Sequence, residues 1–239
     1  MNLLRSLLAG AAVASLGSPA AGAAETFHYQ VDWRFWHAGD IVLGYGDDEA
    51  FATLKTRGFV DALYHVDNRY RVEFGEGWCA DAARFDVREG SKRREIRIRY
   101  HDPPGRVRYV ERDLVRKRVV LRKSLPVPPC VHDELTALAR FRTMGLEPGR
   151  ETWLPVSNGK KSVRVRVRAL AREEVRTPAG VFPAIRYEAF LFNNVLYRRR
   201  GRLLFWLSDD GRRLPVQFQV RLRFYYGTIT LRLVRYESR

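Results

Sequence analysis

From residue 25 onward the chain alternates apolar and polar residues with a period of two, and this pattern constrains the fold more than any other feature. Phe27, Tyr29, Val31, Trp33 and Phe35 fall on one side of an extended segment, and His28, Gln30, Asp32 and Arg34 on the other. Successive side chains of a strand point to opposite faces, so such a segment is a strand with one buried face. The same alternation recurs at Ile96, Ile98 and Tyr100, at Val163, Val165 and Val167, and at Val216, Phe218, Val220, Leu222 and Phe224. In several of these segments the polar positions are arginines, which gives the sheet an apolar face and an arginine face.

Turn residues separate the alternating segments. Ser157-Asn158-Gly159 and Asp209-Asp210-Gly211 tolerate the positive φ of tight hairpins. The proline- and glycine-containing stretches 102–105 and 177–180 break strands, because proline cannot donate to a ladder. Gly227 marks a bend before a last strand over 228–236. One segment has helical spacing: Leu135, Leu138, Phe141 and Met144 recur every three residues, with Asp133 placed to cap the start and Gly145 to end it. The expected fold is mainly β: a strongly curved antiparallel sheet or β-barrel-like domain of about ten to thirteen strands with one inserted α-helix at about 133–144. Residues 25–239 form a single domain on this reading, with a two-lobed split near 145 as the alternative.

The first residues have the order of a secretory signal peptide, with Arg5 in a short basic head, an apolar run over 7–16 and a small-residue tail ending Ala23-Ala24. Residues 1–23 are therefore read as a signal peptide and the rest as an exported chain, periplasmic or associated with the outer membrane of a Gram-negative bacterium. The apolar run is about half the roughly twenty residues that a spanning helix needs, so the chain is not expected to be an integral membrane protein. In an oxidising compartment Cys79 and Cys130 are expected to form a disulfide, since structural zinc requires four ligands and the spacing offers no others.

The formal charge is +16, and removing Arg5 with the leader leaves +15. Export redirects such a charge from nucleic acid to envelope polyanions: lipid headgroups, lipopolysaccharide phosphates or acidic polysaccharide. The run Arg198, Arg199, Arg200 and Arg202 is the candidate anion-binding cluster, because a guanidinium fork pairs with phosphate through two hydrogen bonds. The alternative is compositional, since only six of the 43 basic residues are lysines.

No constellation for catalysis stands out. The histidines share no metal-ligand spacing, there is no G-x-S-x-G elbow, and the acidic pair Asp209-Asp210 is already explained by its turn. No catalytic residue, metal or cofactor is assigned, and a non-enzyme is expected. Aromatic clustering favours binding: Trp33, Phe35, Phe190, Phe205, Phe218 and Phe224 are the candidate lining of a ligand site, or else the filling of a solid core.

The second half also carries an ordered series: Leu146-Glu147-Pro148-Gly149, then a strand and turn ending Gly159-Lys160, then the run 173–182, then Phe205-Trp206-Leu207-Ser208-Asp209-Asp210 leading to Leu214-Pro215-Val216. This series, with the segment 61–66, resembles the exported bacterial family known as domain of unknown function 3108. The resemblance implies a secreted antiparallel β protein and provides no catalytic residues. The expectation is non-catalytic binding or carriage of a lipid-like or amphipathic envelope component. The alternative is a scaffold for anionic glycan, lipopolysaccharide or a protein partner, and a hydrolase comes third.

Overall fold

The structure is a computed structural model that describes residues 25–33, 36–198, 201–222 and 227–238; the signal-peptide segment lies outside them. Among the described residues, fourteen strands join in one antiparallel sheet. The first eight are β1 (Glu25–Trp33), β2 (Trp36–Tyr45), β3 (Glu49–Thr56), β4 (Asp67–Phe74), β5 (Ala80–Glu89), β6 (Lys92–Arg99), β7 (Arg106–Asp113) and β8 (Arg118–Pro126). The other six are β9 (Glu151–Ser157), β10 (Ser162–Thr177), β11 (Gly180–Ala189), β12 (Gly201–Ser208), β13 (Pro215–Leu222) and β14 (Thr228–Ser238).

Each strand pairs with its neighbour in sequence, except that β8 and β9 do not pair, while β14 pairs with β1. The two ends of the described chain thus meet in the middle of the sheet. The edges, β8 and β9, flank an unclosed seam, and the helix α2 (Glu134–Arg142) lies between them in sequence. A single parallel bridge from His132 to Val156 joins the helix entry to β9.

The expected turns and helix are present, with two differences. The strand number exceeds the expected range by one, and a second helix, α1 (Gly58–Leu63), was not anticipated. It is six residues long, too short for a helical period to stand out in the sequence, and it buries none of them. For α2, Asp133 is the N-cap of a reciprocal capping box: its carboxylate accepts from the Thr136 N–H at 2.7 Å, and the Thr136 hydroxyl accepts from the Asp133 N–H at 3.0 Å. Past the helix, Gly145 has φ +63°, a conformation that glycine adopts without strain.

The helix is held by covalent, polar and apolar contacts. Cys79 and Cys130 form a disulfide with Cα atoms 5.0 Å apart, joining the helix entry to the 3-10 turn Glu76–Trp78. Arg142 donates to the Glu25 carboxylate of β1 at 2.7 and 3.0 Å. Four inward tyrosines bury their rings and spend their hydroxyls on main-chain carbonyls: Tyr29 on Pro215, Tyr45 on Leu135, Tyr100 on Ser157 and Tyr187 on Leu146. This is how a sheet with polar-tipped aromatics avoids leaving unsatisfied groups inside. Two apolar clusters result. One runs over β1–β7 and takes in Ala139 of α2 and residues of β10–β14; the other joins β9–β12 to α2 through Phe141.

Candidate functional site

The inward faces of the strands do not fill the space above α2. Its helical spacing puts Leu135, Leu138 and Phe141 on one face, and this face floors a cavity of about 300 Å³. Val165 and Val167 of β10, Phe205 of β12 and Phe218 of β13 supply much of its wall. Glu134 is its one charged lining residue, and the hydroxyl of Tyr29, also in the wall, is already bonded to Pro215 at 2.7 Å.

A second chamber of about 400 Å³ adjoins the first, and Ala52, Glu134 and Leu135 line both. Its character is different. Tyr70, Tyr109, Tyr197, Asn158 and Lys160 share its wall with Ile96 and Ile98. The Lys160 ammonium sits 4.8 Å over the Tyr109 ring and 3.2 Å from the Glu111 carboxylate, to which Tyr109 donates at 2.8 Å and Arg94 also donates. Burial pushes the Glu111 carboxyl up, but Arg94, Tyr109 and Lys160 outweigh it and hold it below the ordinary carboxylate value.

Glu134, at the junction, behaves in the opposite way. Burial and then the neighbouring Asp133 carboxylate push it up to about 7, against the hydrogen bond that the Tyr197 hydroxyl donates at 2.6 Å. Asp133 is also raised by burial, although it accepts from Thr136 and from the Tyr70 hydroxyl at 2.7 Å. The boundary between the chambers is therefore a carboxyl group that is neutral in mildly acidic solution and can donate or accept a hydrogen bond.

Of the aromatic candidates, Phe205 and Phe218 line the apolar chamber. Phe190 does not: it lies at the end of β11 with the Arg166 guanidinium 4.1 Å over its ring. Trp33 ends β1, half-buried and away from either chamber lining; Phe35 and Phe224 lie outside the described residues. The arginine candidates are not gathered into an anion site among the described residues. Arg198 is exposed, and the fork of Arg202 is occupied by Glu188 at 2.6 and 2.9 Å; Arg199 and Arg200 lie outside the described residues. The sequence reading missed Glu134, Tyr197 and Tyr70. Asp133-Glu134 could have drawn attention as an acidic pair at a helix start, but capping explains such a pair without a cavity.

Fold and cavity together define a class: an open, barrel-like antiparallel β protein whose inserted helix floors an apolar chamber. Residues 28–234 match the family described as protein of unknown function (DUF3108), and the chain belongs to that family. A crystal structure of a β-barrel-like protein of domain of unknown function DUF1849 from Brucella abortus shares the fold. Its TM-score is 0.57 at 10% identity, over 90% of this chain and 98% of that one. A duf1089 family protein from Pseudomonas aeruginosa is more distant, with a TM-score of 0.43 at 14% identity, over 77% of this chain and 90% of that one. A search of curated proteins found no match. Among the described residues, no helix is long and apolar enough to cross a membrane.

Proposed function

We propose that this protein binds or carries, without catalysis, a lipid-like or amphipathic component of the bacterial envelope. The observation that carries this reading is the apolar chamber of about 300 Å³ beside a tyrosine- and lysine-lined one. Each volume falls within the range of small-molecule sites, and such sites pair hydrocarbon walls with a few placed polar groups. The hydrocarbon part of the ligand occupies the space over Leu138 and Phe205, and its polar part meets Glu134, Tyr197 and Lys160. The signal-peptide pattern and the Cys79–Cys130 bond support an exported setting, where such components are available.

The test is native mass spectrometry and solvent extraction of the protein secreted into a bacterial periplasm, compared with Ala52→Trp. Ala52 lines both chambers, and an indole there fills their junction. Wild type should release a stoichiometric amphipathic compound and the variant should not. Wild-type protein that yields no extractable compound would overturn the proposal.

A further inference from the structure

The loops at the two ends of β1–β8 differ sharply. At the end where β2 finishes, Tyr45 donates to the helix carbonyl of Leu135, and the turns 46–48, 76–78 and 102–105 present Asp47, Asp48, Glu76 and Asp102. The aromatic residue there, Trp78, is half-buried, with its ring 4.6 Å from Phe74 and 6.0 Å from Tyr45. The opposite end carries Trp36, Phe59, Leu63, Tyr64, Leu114 and Val115, all 47 to 65% exposed.

These six side chains lie on successive loops along one end of the sheet, its rim. The Trp36 and Phe59 rings are 5.9 Å apart, Tyr64 lies against the turn at Gly90, and the Leu114 N–H donates to the Arg93 carbonyl on the neighbouring hairpin. Helix α1 projects Phe59 and Leu63 outward and buries nothing, so the core does not require them. Exposed apolar groups gathered in this way mark an interaction surface.

The charges beside the rim indicate what covers it. Arg57, Arg116, Lys117 and Arg118 are exposed at the same loop tips, Arg57 paired with Asp40 at 2.7 Å. Asp61 and Glu89 keep their charge beside α1 and the β5–β6 turn, so the positive excess lies at the β7–β8 tip, where Arg116, Lys117 and Arg118 outnumber Asp113, whose carboxylate accepts from the backbone N–H groups of Val115 and Arg116. Tryptophan and tyrosine favour the headgroup level of a bilayer, and lysine and arginine are attracted to anionic lipid. We infer that this rim docks the protein on an anionic bilayer surface, with α1 and the β7–β8 hairpin tip as the inserted elements. The inference goes beyond ligand carriage, because it does not require that the chambers be occupied.

The test is vesicle flotation of the secreted chain beginning at Glu25, with vesicles of phosphatidylglycerol and phosphatidylethanolamine in equal parts and with vesicles of phosphatidylcholine alone. Wild type should bind the anionic vesicles at least tenfold more tightly. Trp36→Ser/Phe59→Ser and Leu114→Ser/Val115→Ser should each lose about tenfold while keeping the wild-type circular dichroism and melting temperature, since these side chains are exposed. Ala52→Trp should bind as wild type does, which separates docking from the ligand proposal. Equal binding to both vesicles, no binding by wild type, or serine variants that float like wild type would overturn the inference. So would a rim whose substitution changes only a monomer–dimer equilibrium in sedimentation velocity, which would assign it to a second copy of the chain.

Discussion

The two chambers have the same architecture and opposite chemistry. Both are walled by inward positions of antiparallel strands, and both touch Glu134 and Leu135. On the apolar side the one wall hydroxyl, that of Tyr29, is spent on the Pro215 carbonyl, so the wall presents hydrocarbon and ring faces. On the polar side the hydroxyls act on side chains instead: Tyr70 on Asp133, Tyr197 on Glu134 and Tyr109 on Glu111. Strand alternation decides only which residues point inward. Whether an inward tyrosine reaches a carbonyl or a carboxylate decides whether the space beside it is greasy or polar. The N-terminus of α2 draws the line, because its cap is the buried carboxylate of Asp133 and its next residue is another acid.

The largest effect expected from breaking this arrangement is on the apolar side. Phe141 is buried beneath the chamber, with ring contacts to Tyr187 and Phe205 at 4.9 and 5.4 Å. Phe141→Ala should lower stability by about 3–5 kcal/mol, the usual cost of removing a buried phenyl ring. Urea denaturation followed by far-ultraviolet circular dichroism measures it. A loss below about 1 kcal/mol would mean that the helix does not depend on this contact.

Next in size is the covalent hold on the helix entry. The Cys79–Cys130 bond spans a sequence separation of 51. The double variant Cys79→Ser/Cys130→Ser should lose about 2–4 kcal/mol, chiefly through greater freedom of the unfolded chain. Hydrogen exchange should rise first in 127–133. Protection that falls uniformly over the whole sheet would show that the helix entry is not a separately held unit.

Much of the architecture was legible because the period-two signal is strong and its punctuation is chemically explicit. The hairpins at Ser157-Asn158-Gly159 and Asp209-Asp210-Gly211 and the cap at Asp133 follow from local residues. The cavity was not legible to the same degree. Phe205 and Phe218 were candidates and line it, yet Phe190 looked the same in sequence and lies under Arg166. Parity within β11 separates them: Ile185, Tyr187 and Ala189 belong to the buried cluster that contains Phe205, and Phe190 falls on the alternate face. Glu134 was hidden for another reason. Its role depends on Ala52 and Tyr197, residues 82 and 63 positions away, which only the curved sheet brings to it.

A third prediction concerns the boundary itself. Glu134 has a folded-state pKa of about 7, above its ordinary 4.5, so the folded protein holds this proton more tightly than the unfolded chain. Its contribution to stability is complete below pH 4.5 and is lost as the pH rises through about 7. The stability of wild type relative to Glu134→Gln should therefore fall by about 2–3 kcal/mol between pH 4 and pH 8. Asp133, also raised, titrates in the same direction, so the variant keeps a shallower slope of the same sign. Melting at several pH values measures the difference, and a difference that stays flat or rises with pH would remove Glu134 from the buried boundary.

The smallest expected effect sharpens the comparison from outside both chambers. Arg166 and Arg168 approach the Phe190 ring at 4.1 and 5.8 Å, and Arg164 and Arg166 approach Trp153 at 5.9 and 6.0 Å. Such contacts at accessible positions are worth about 0.5–1 kcal/mol. Phe190→Leu should therefore cost less than about 1 kcal/mol and leave ligand retention as in wild type, because neither chamber is lined by Phe190. Phe218→Ala, in the wall of the apolar chamber, should instead change which hydrocarbon is retained, read as a shift in the chain-length distribution of the extracted compound. If Phe190→Leu also shifts that distribution, the hydrocarbon extends past the end of β11, and the apolar chamber is longer than the space between α2 and the sheet.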